Sequence, residues 1–306
     1  TYTGYFAGTL FAGDHEIKAG FDYDRNEVFN LFLDSSYGVY TFGCVNSSAT
    51  YTYSFGAVNC ATSSVALRNQ AILENFRLGR YSFNSFRTAT SGNVRDAAAD
   101  FTLENYGFFL QDTWAVNYNL TLMAGLRYDL PNVGDKPVFN QDATTAFGIR
   151  NDATIDGNGL VQPRLGFNYT FDTDRPTQLR GGIGLFQGAA ANVWLANPFT
   201  NNGRTIQVFG CSGSACNVPA STVGTRFNPS PDSQPRVGGN PVADVDLISS
   251  ELEQPSLWKA NIAFDTELPW GGLVAQAELL LTNVESAIAY EHLNLGGATL
   301  RGNDGR

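Results

Sequence analysis

The residues most able to do chemistry in this chain are four cysteines, two histidines and a few Asp/Asn/Gly clusters. The cysteines fall as two local pairs, Cys44 with Cys60 and Cys211 with Cys216, each in Ser/Gly/Asn-rich sequence. Two disulfides formed in an oxidising compartment are the natural reading of such pairs. A zinc site is the rival, but the C-x-x-C pairs and clustered His that zinc sites use are missing. His15 and His292 are remote from each other and from any elbow-like Ser or Cys, which disfavours a hydrolase or a histidine metal site. Gly210-Cys211-Ser212-Gly213-Ser214 is not G-x-S-x-G. Gly181 to Gly188 invites a dinucleotide reading, yet Gln187 stands where the third Gly belongs and no helix pattern follows. That run is better read as a strand facing a lumen, with small residues where other groups pack closely. Asp152, Asp156 and Asn158 miss the calcium-loop spacing and read as turn chemistry, as do Asp172/Asp174 and Asp244/Asp246. The sequence names no catalytic residue, cofactor or metal site.

The elements that would position these loops are short blocks of period-two alternation, the mark of strands with two unlike faces. In 120–130 the apolar set is Leu120, Leu122, Ala124, Leu126 and Tyr128, alternating with Thr121, Gly125, Arg127 and Asp129. Leu165, Phe167 and Tyr169 alternate with Arg164 and Asn168, and Trp258, Ala260, Ile262 and Phe264 with Lys259, Asn261 and Asp265. Leu279 and Leu281 alternate with Glu278 and Thr282, and Ile17, Ala19, Phe21 and Tyr23 with Glu16, Lys18 and Asp22. Leu120, Leu122, Leu126, Phe167, Tyr169, Ile262, Phe264, Leu279 and Leu281 are expected to face lipid, and Arg127, Arg164, Lys259 and Glu278 the interior.

Eight strands are expected, over 2–12, 15–24, 104–115, 120–130, 163–171, 179–188, 256–268 and 272–283. A soluble strand averages about 5–6 residues, whereas a tilted membrane-crossing strand needs about 9–11. Connections within pairs are short, and those between pairs (25–103, 131–162 and 189–255) are long. Short periplasmic turns alternating with large extracellular loops are the pattern of outer-membrane barrels. Trp114, Tyr118, Phe171 and Trp270 gather at the short turns, where interfacial aromatics sit. The stretch 65–80 fits either a short helix or an extra hairpin.

Composition agrees. The chain has 306 residues with 22 Phe, 13 Tyr and 4 Trp, but only 16% charged residues, against about 25% in ordinary soluble domains. A net charge of −10 disfavours nucleic acid as a partner. No window is long and apolar enough for a transmembrane helix. The chain opens inside a strand-like run without Met and ends on the loop-like Gly302 to Gly305, so a segment incomplete at both ends is expected.

The run Tyr106 to Trp114 (Y-G-F-F-L-Q-D-T-W), then Asn119 to Leu122, then Gly125-Leu-Arg-Tyr-Asp129, resembles the barrel of TonB-dependent receptors. Pro163 to Phe167 with Leu179 to Gly182 is similar to the hairpin that follows in that family, and Ser256 to Tyr290 to its Oar-like branch. The resemblance implies an all-β, antiparallel transmembrane β-barrel segment, about eight strands of a roughly 22-stranded barrel, with the plug domain and barrel C-terminus outside this chain. It also implies the outer membrane of a Gram-negative bacterium, with membrane lipid as surroundings. The implied function is a receptor or transporter taking up or sensing an extracellular substrate through large outer loops, with the TonB complex engaged through an upstream N-terminal region. A non-transporting outer-membrane barrel, serving adhesion, secretion or surface structure, is the alternative. Neither reading is enzymatic.

Overall fold

The computed structural model describes residues 1–44, 50–216, 230–234, 236, 239–241 and 244–295. In chain order the strands are β1 (Tyr2–Ala12), β2 (His15–Asn30), β3 (Val39–Thr41), β4 (Thr50–Tyr53) and β5 (Gly56–Asn59). Helix α1 (Val65–Arg77) leads to β6 (Phe83–Ala89), β7 (Ala99–Ala115) and β8 (Leu120–Asn132). Then come α2 (Gln141–Phe147), β9 (Leu160–Thr170), β10 (Thr177–Gln187) and α3 (Asn192–Thr200). Last are β11 (Ile206–Ser212), β12 (Gly239–Pro241), β13 (Ser256–Glu267) and β14 (Val274–Ser286). The run 302–305 lies outside the described residues.

Eight strands form one antiparallel sheet in the order β1-β2-β7-β8-β9-β10-β13-β14. These are the eight strands expected from alternation, with shifted ends. β2 and β7 run further than the pattern predicts, pairing as far as Asn30 with Ala99; in β7 the alternation goes on, but Ala99, Phe101 and Leu103 carry its apolar side to the inward parity. β9 begins at Leu160, three residues before the expected start, carried by pairing of Leu160 with Asp129. β1 and β14 lie at opposite edges of the sheet, and neither has a second strand partner among the described residues.

Register makes the two faces consistent across strands, since residues directly opposite share a face. Phe21 pairs with Phe108, Phe108 with Tyr128, Leu126 with Pro163, Leu165 with Ile183, and Ile183 with Ala260. One face is therefore a continuous apolar field from Phe6 to Leu281. The other face collects Asp22, Arg127, Gln162, Arg164, Arg180, Asp265 and Glu278. A slip of one residue in any pair would exchange the faces, so every apolar side chain resists it.

The short connections are built from local turn chemistry. Gly13 takes φ 62°, a positive value suited to a two-residue hairpin and free of strain only in glycine. In 116–119, the Asn117 side chain accepts bonds from the backbone N–H of Asn119 (2.9 Å) and Leu120 (2.9 Å). The Asn119 amide donates to the Thr170 carbonyl at 2.7 Å, tying this turn to the next strand pair.

The long connections fold into structures of their own. The stretch 65–80, open between helix and hairpin in the sequence, is helical: the Ser64 hydroxyl caps α1 by accepting from Leu67 N. β12-β11-β6-β3 form a second sheet of four strands above the main one. Disulfides join Cys44 to Cys60 and Cys211 to Cys216. The second bridge packs with Tyr81, whose side chain is fully buried; burial pushes its hydroxyl up to about 12. Three buried asparagines join the other loops. Asn140 N donates to Asn151 Oδ1 at 2.7 Å, and Asn140 Nδ2 to the Asn202 carbonyl at 2.9 Å.

Candidate functional site on the polar face

On the polar face of the sheet a chain of hydrogen bonds crosses from β2 to the segment before β13. Arg127 Nη1 and Nη2 donate to the two oxygens of Asp22 at 2.7 and 2.9 Å, while Nε donates to Asp129 at 2.8 Å. Asp129 accepts in turn from the Gln162 amide. Gln162 Oε1 accepts from Arg164 Nη2 at 3.2 Å and from Gln187 N at 3.1 Å. Gln187 Nε2 then donates to Gln254 Oε1 at 3.3 Å. Gln162 is only 2% exposed, so this network is held rather than solvated.

The bridge between Arg127 and Asp22 spans the strand between their own, and it fits because β7 carries Gly107 there. A Cβ at Gly107 would collide with Arg127 Nη2 and Asp22 Oδ1. The fork of the guanidinium matches the carboxylate with two parallel bonds, the strongest ion-pair geometry available to side chains.

Above this network lies a cavity of about 440 Å³. Its polar wall includes Asp24, Asn105, Arg164 and Gln254, and its roof is the start of α3 with Leu195. α3 is held by apolar contact: Leu195 and Ala196 cluster with Ala99, Phe101 and Leu103, which point inward from β7. Phe199 stacks on Phe101 at 4.6 Å. Arg164 is the donor with capacity to spare. Its guanidinium lies 4.6 Å from the centre of the Phe186 ring, and its Nε has no partner. Gln187 Oε1 is an acceptor with none.

The loop carboxylates weighed as a calcium site are spent elsewhere. Asp152 pairs with Arg150 at 2.6 Å, which holds its carboxyl below the usual range. Asp156 accepts from Val133 N at 3.0 Å, and the Asn158 amide donates to the Leu252 carbonyl at 2.6 Å. Asp244 pairs with Arg87, and Asp246 accepts from the Asn201 amide. Among the described residues no group of His, Cys, Asp and Glu is arranged to hold a metal ion.

The apolar face is bounded by aromatics at both ends. Near the short turns, His15 stacks on Trp114 at 5.2 Å and Tyr169 meets Phe171 edge-on at 4.9 Å. Toward the long loops, Tyr23 and Tyr106 approach to 5.2 Å. Two aromatic girdles flanking an apolar band, with a polar opposite face, form the pattern of a membrane-crossing barrel wall. A profile of the family described as outer membrane beta barrel domain matches residues 1–277. The chain belongs to that family. It is an outer-membrane protein, and its apolar face meets lipid while the polar face lines the barrel interior. No curated protein sequence matches the chain. Among solved structures, the copper transporter OprC is similar at a TM-score of 0.32 and 12% identity, over 86% of this chain and 30% of that one. The chain thus spans less than a third of that protein's length.

Sequence alternation placed Arg127 and Arg164 on the polar face, where the barrel-domain structure has them. It missed Gln162, Gln187 and Gln254. Gln162 and Gln187 lie on the inward parity of strands and were within reach of the pattern. Gln254 sits in a loop and carried no signal.

Proposed function

We propose that this chain is part of the barrel of a TonB-dependent receptor or transporter, of the Oar-like branch, that captures an extracellular substrate through its outer loops. The polar cavity carries this reading: it lies on the inward face beneath the folded long loops, with Arg164, Gln187 and Gln254 in its wall. Exposed strand edges in hydrocarbon leave N–H and C=O groups unsatisfied. Continuation of the sheet beyond β1 and β14 into a barrel of about twenty-two strands around a plug would pair them. TonB would then act through a region upstream of this segment, and the role is binding and transport rather than catalysis. The four-stranded loop sheet and its disulfides favour a second reading, a non-transporting surface barrel working through the same loops.

The test is to express the complete gene and ask whether the purified protein binds the periplasmic domain of TonB from the same cell. Binding that is lost on deleting the region upstream of the barrel supports the transporter. A complete protein that encodes no plug and binds no TonB establishes the second reading instead.

A further inference from the structure

The lipid-facing surface is not an even apolar field. A groove of about 540 Å³ crosses it from β7 to β13. Its floor is Ala124 and the backbone of Met123, Gly166 and Gly182, and its walls include Leu122, Phe167, Ile183 and Ile262. The depression exists because small residues occupy outward positions: Ala124 on β8 pairs with Leu165, and Gly181 on β10 pairs with Phe167. The Phe167 ring leans over Gly181, where a Cβ would meet it at 2.8 Å, and so leaves the neighbouring row open.

The groove has a direction. At β7 it begins with Trp114 and Asp112, one and three residues from the strand end at Ala115. At β10 it reaches Ile183, six residues above the strand start at Thr177. It therefore rises from the periplasmic boundary into the hydrocarbon, if the short turns face the periplasm as they do in this class of barrel. Its low end is also its polar end. Asp112 Oδ2 lies 2.7 Å from His15 Nδ1, a hydrogen-bonded polar pair on the outward face of an otherwise apolar wall. Asp112 Oδ1 has no partner, and the His15 ring stacks on Trp114. The Asp112 carboxylate, whose side chain is 35% exposed, thus stands beside the Trp114 indole N–H, which can donate.

We propose that this groove is a binding site for one phosphatidylethanolamine of the periplasmic leaflet. One acyl chain lies along Ala124 and Ile183, and the headgroup sits at Asp112, His15 and Trp114. The occupant follows from chemistry and place. The apolar channel fits a hydrocarbon chain, and an ammonium complements the partly exposed Asp112 carboxylate, while a phosphate accepts from the indole N–H. An anionic phosphatidylglycerol headgroup offers no cation to Asp112. The site rests on the family and the membrane face alone, so it stands whether or not the barrel transports.

The experiment uses the complete protein, purified in mild detergent and exchanged into nanodiscs of equal phosphatidylethanolamine and phosphatidylglycerol, with retained lipid read by native mass spectrometry. The wild type is expected to keep one phosphatidylethanolamine. Asp112→Asn should reduce the preference over phosphatidylglycerol by about tenfold, the scale of one charge-assisted bond. Ala124→Phe should fill the groove and abolish retention, while Leu279→Ala, on the same face outside it, should leave retention unchanged. Folding of each variant is checked by the gel shift of heated against unheated protein. Folded A124F that keeps its lipid, or D112N with unchanged preference, overturns the proposal. If those variants do not fold, a photoreactive phosphatidylethanolamine decides on the wild type. Adducts concentrated in 122–124, 165–167 and 183 support the site, and adducts spread along the whole outward face refute it.

Discussion

Arg127 on β8 reaches Asp22 on β2 over the bare backbone of Gly107 on β7, with Nη1 2.7 Å from Oδ2 and Nη2 2.9 Å from Oδ1. The pair is half-buried in the barrel interior, and no side chain can be added between its members without separating them. Gly107→Val should therefore destabilise the assembled barrel by about 1–3 kcal/mol, the cost of leaving such groups without their bonds. Urea unfolding of folded protein in vesicles measures it. In an Asp22→Ala/Arg127→Ala background the same change should cost much less, because both of its collisions are gone. Full additivity of Gly107→Val with that background would contradict the arrangement.

Leu122 points to lipid and Thr121 to the interior, opposite Phe167 and Asn168 respectively. Arg at a lipid-facing midplane position costs about 2–4 kcal/mol, falling toward the interfaces. Leu122 lies two residues above the start of β8, toward the interface, so Leu122→Arg should lower the yield of assembled barrel by less than a midplane change would, while Thr121→Arg should be tolerated. Comparable losses from the two changes would refute the assignment of faces.

The two disulfides should leave no thiol for labelling in unreduced protein, and both should become accessible from the cell exterior after reduction. Opening Cys44–Cys60, which closes a separation of 16 residues, should destabilise its loop by about 3 kcal/mol on the chain-entropy account. Protease sensitivity of 31–98 in a Cys44→Ser/Cys60→Ser protein, with the barrel strands still protected, is the expected result. Quantitative labelling of all four thiols without reductant would rule the bridges out.

The Arg150 guanidinium, hydrogen-bonded to Asp152, holds that carboxyl below the ordinary Asp range in the folded protein. A carboxylate depressed in the folded state contributes stability that is present above its unfolded pKa and is lost as pH falls through the folded one. Hydrogen exchange of the 133–159 loop should thus rise as the medium is acidified below the ordinary Asp range. Asp152→Asn should show faster exchange at neutral pH and a flatter response to acid. The effect is small, since Arg150 is 63% exposed and water screens the pair.

How much of this was legible in the sequence differs by element. Strands β1, β8, β13 and β14 were placed to within a few residues, because each carries its own alternation and its own short turn. The upper halves of β2 and β7 were not. Asn26 to Asn30 lack a clean alternation, and in Ala99 to Leu103 the apolar residues Ala99, Phe101 and Leu103 fall on the inward parity, opposite to that of Phe108 and Leu110 below them. The helix α1 was left open against a hairpin, since its apolar spacing is mixed and its choice rests on the Ser64 cap and contacts with neighbouring loops. The cysteine pairs were readable from their local spacing and loop context.

What the sequence determined by itself is whatever depends on near neighbours: strand length, the two faces, the rhythm of short and long connections, and the membrane class they imply. Alternation is a property of adjacent residues and needs no partner to be seen. The tertiary structure decided which faces meet and at what height. Asp22 and Arg127 are 105 residues apart in the chain, and Gln162 and Gln187 lie on different strands from either. Only the register of intervening strands brings them to one cavity, or lines Ala124 and Gly181 into one groove. Register is a cooperative outcome of many side chains seeking the same face, so no single segment carries it.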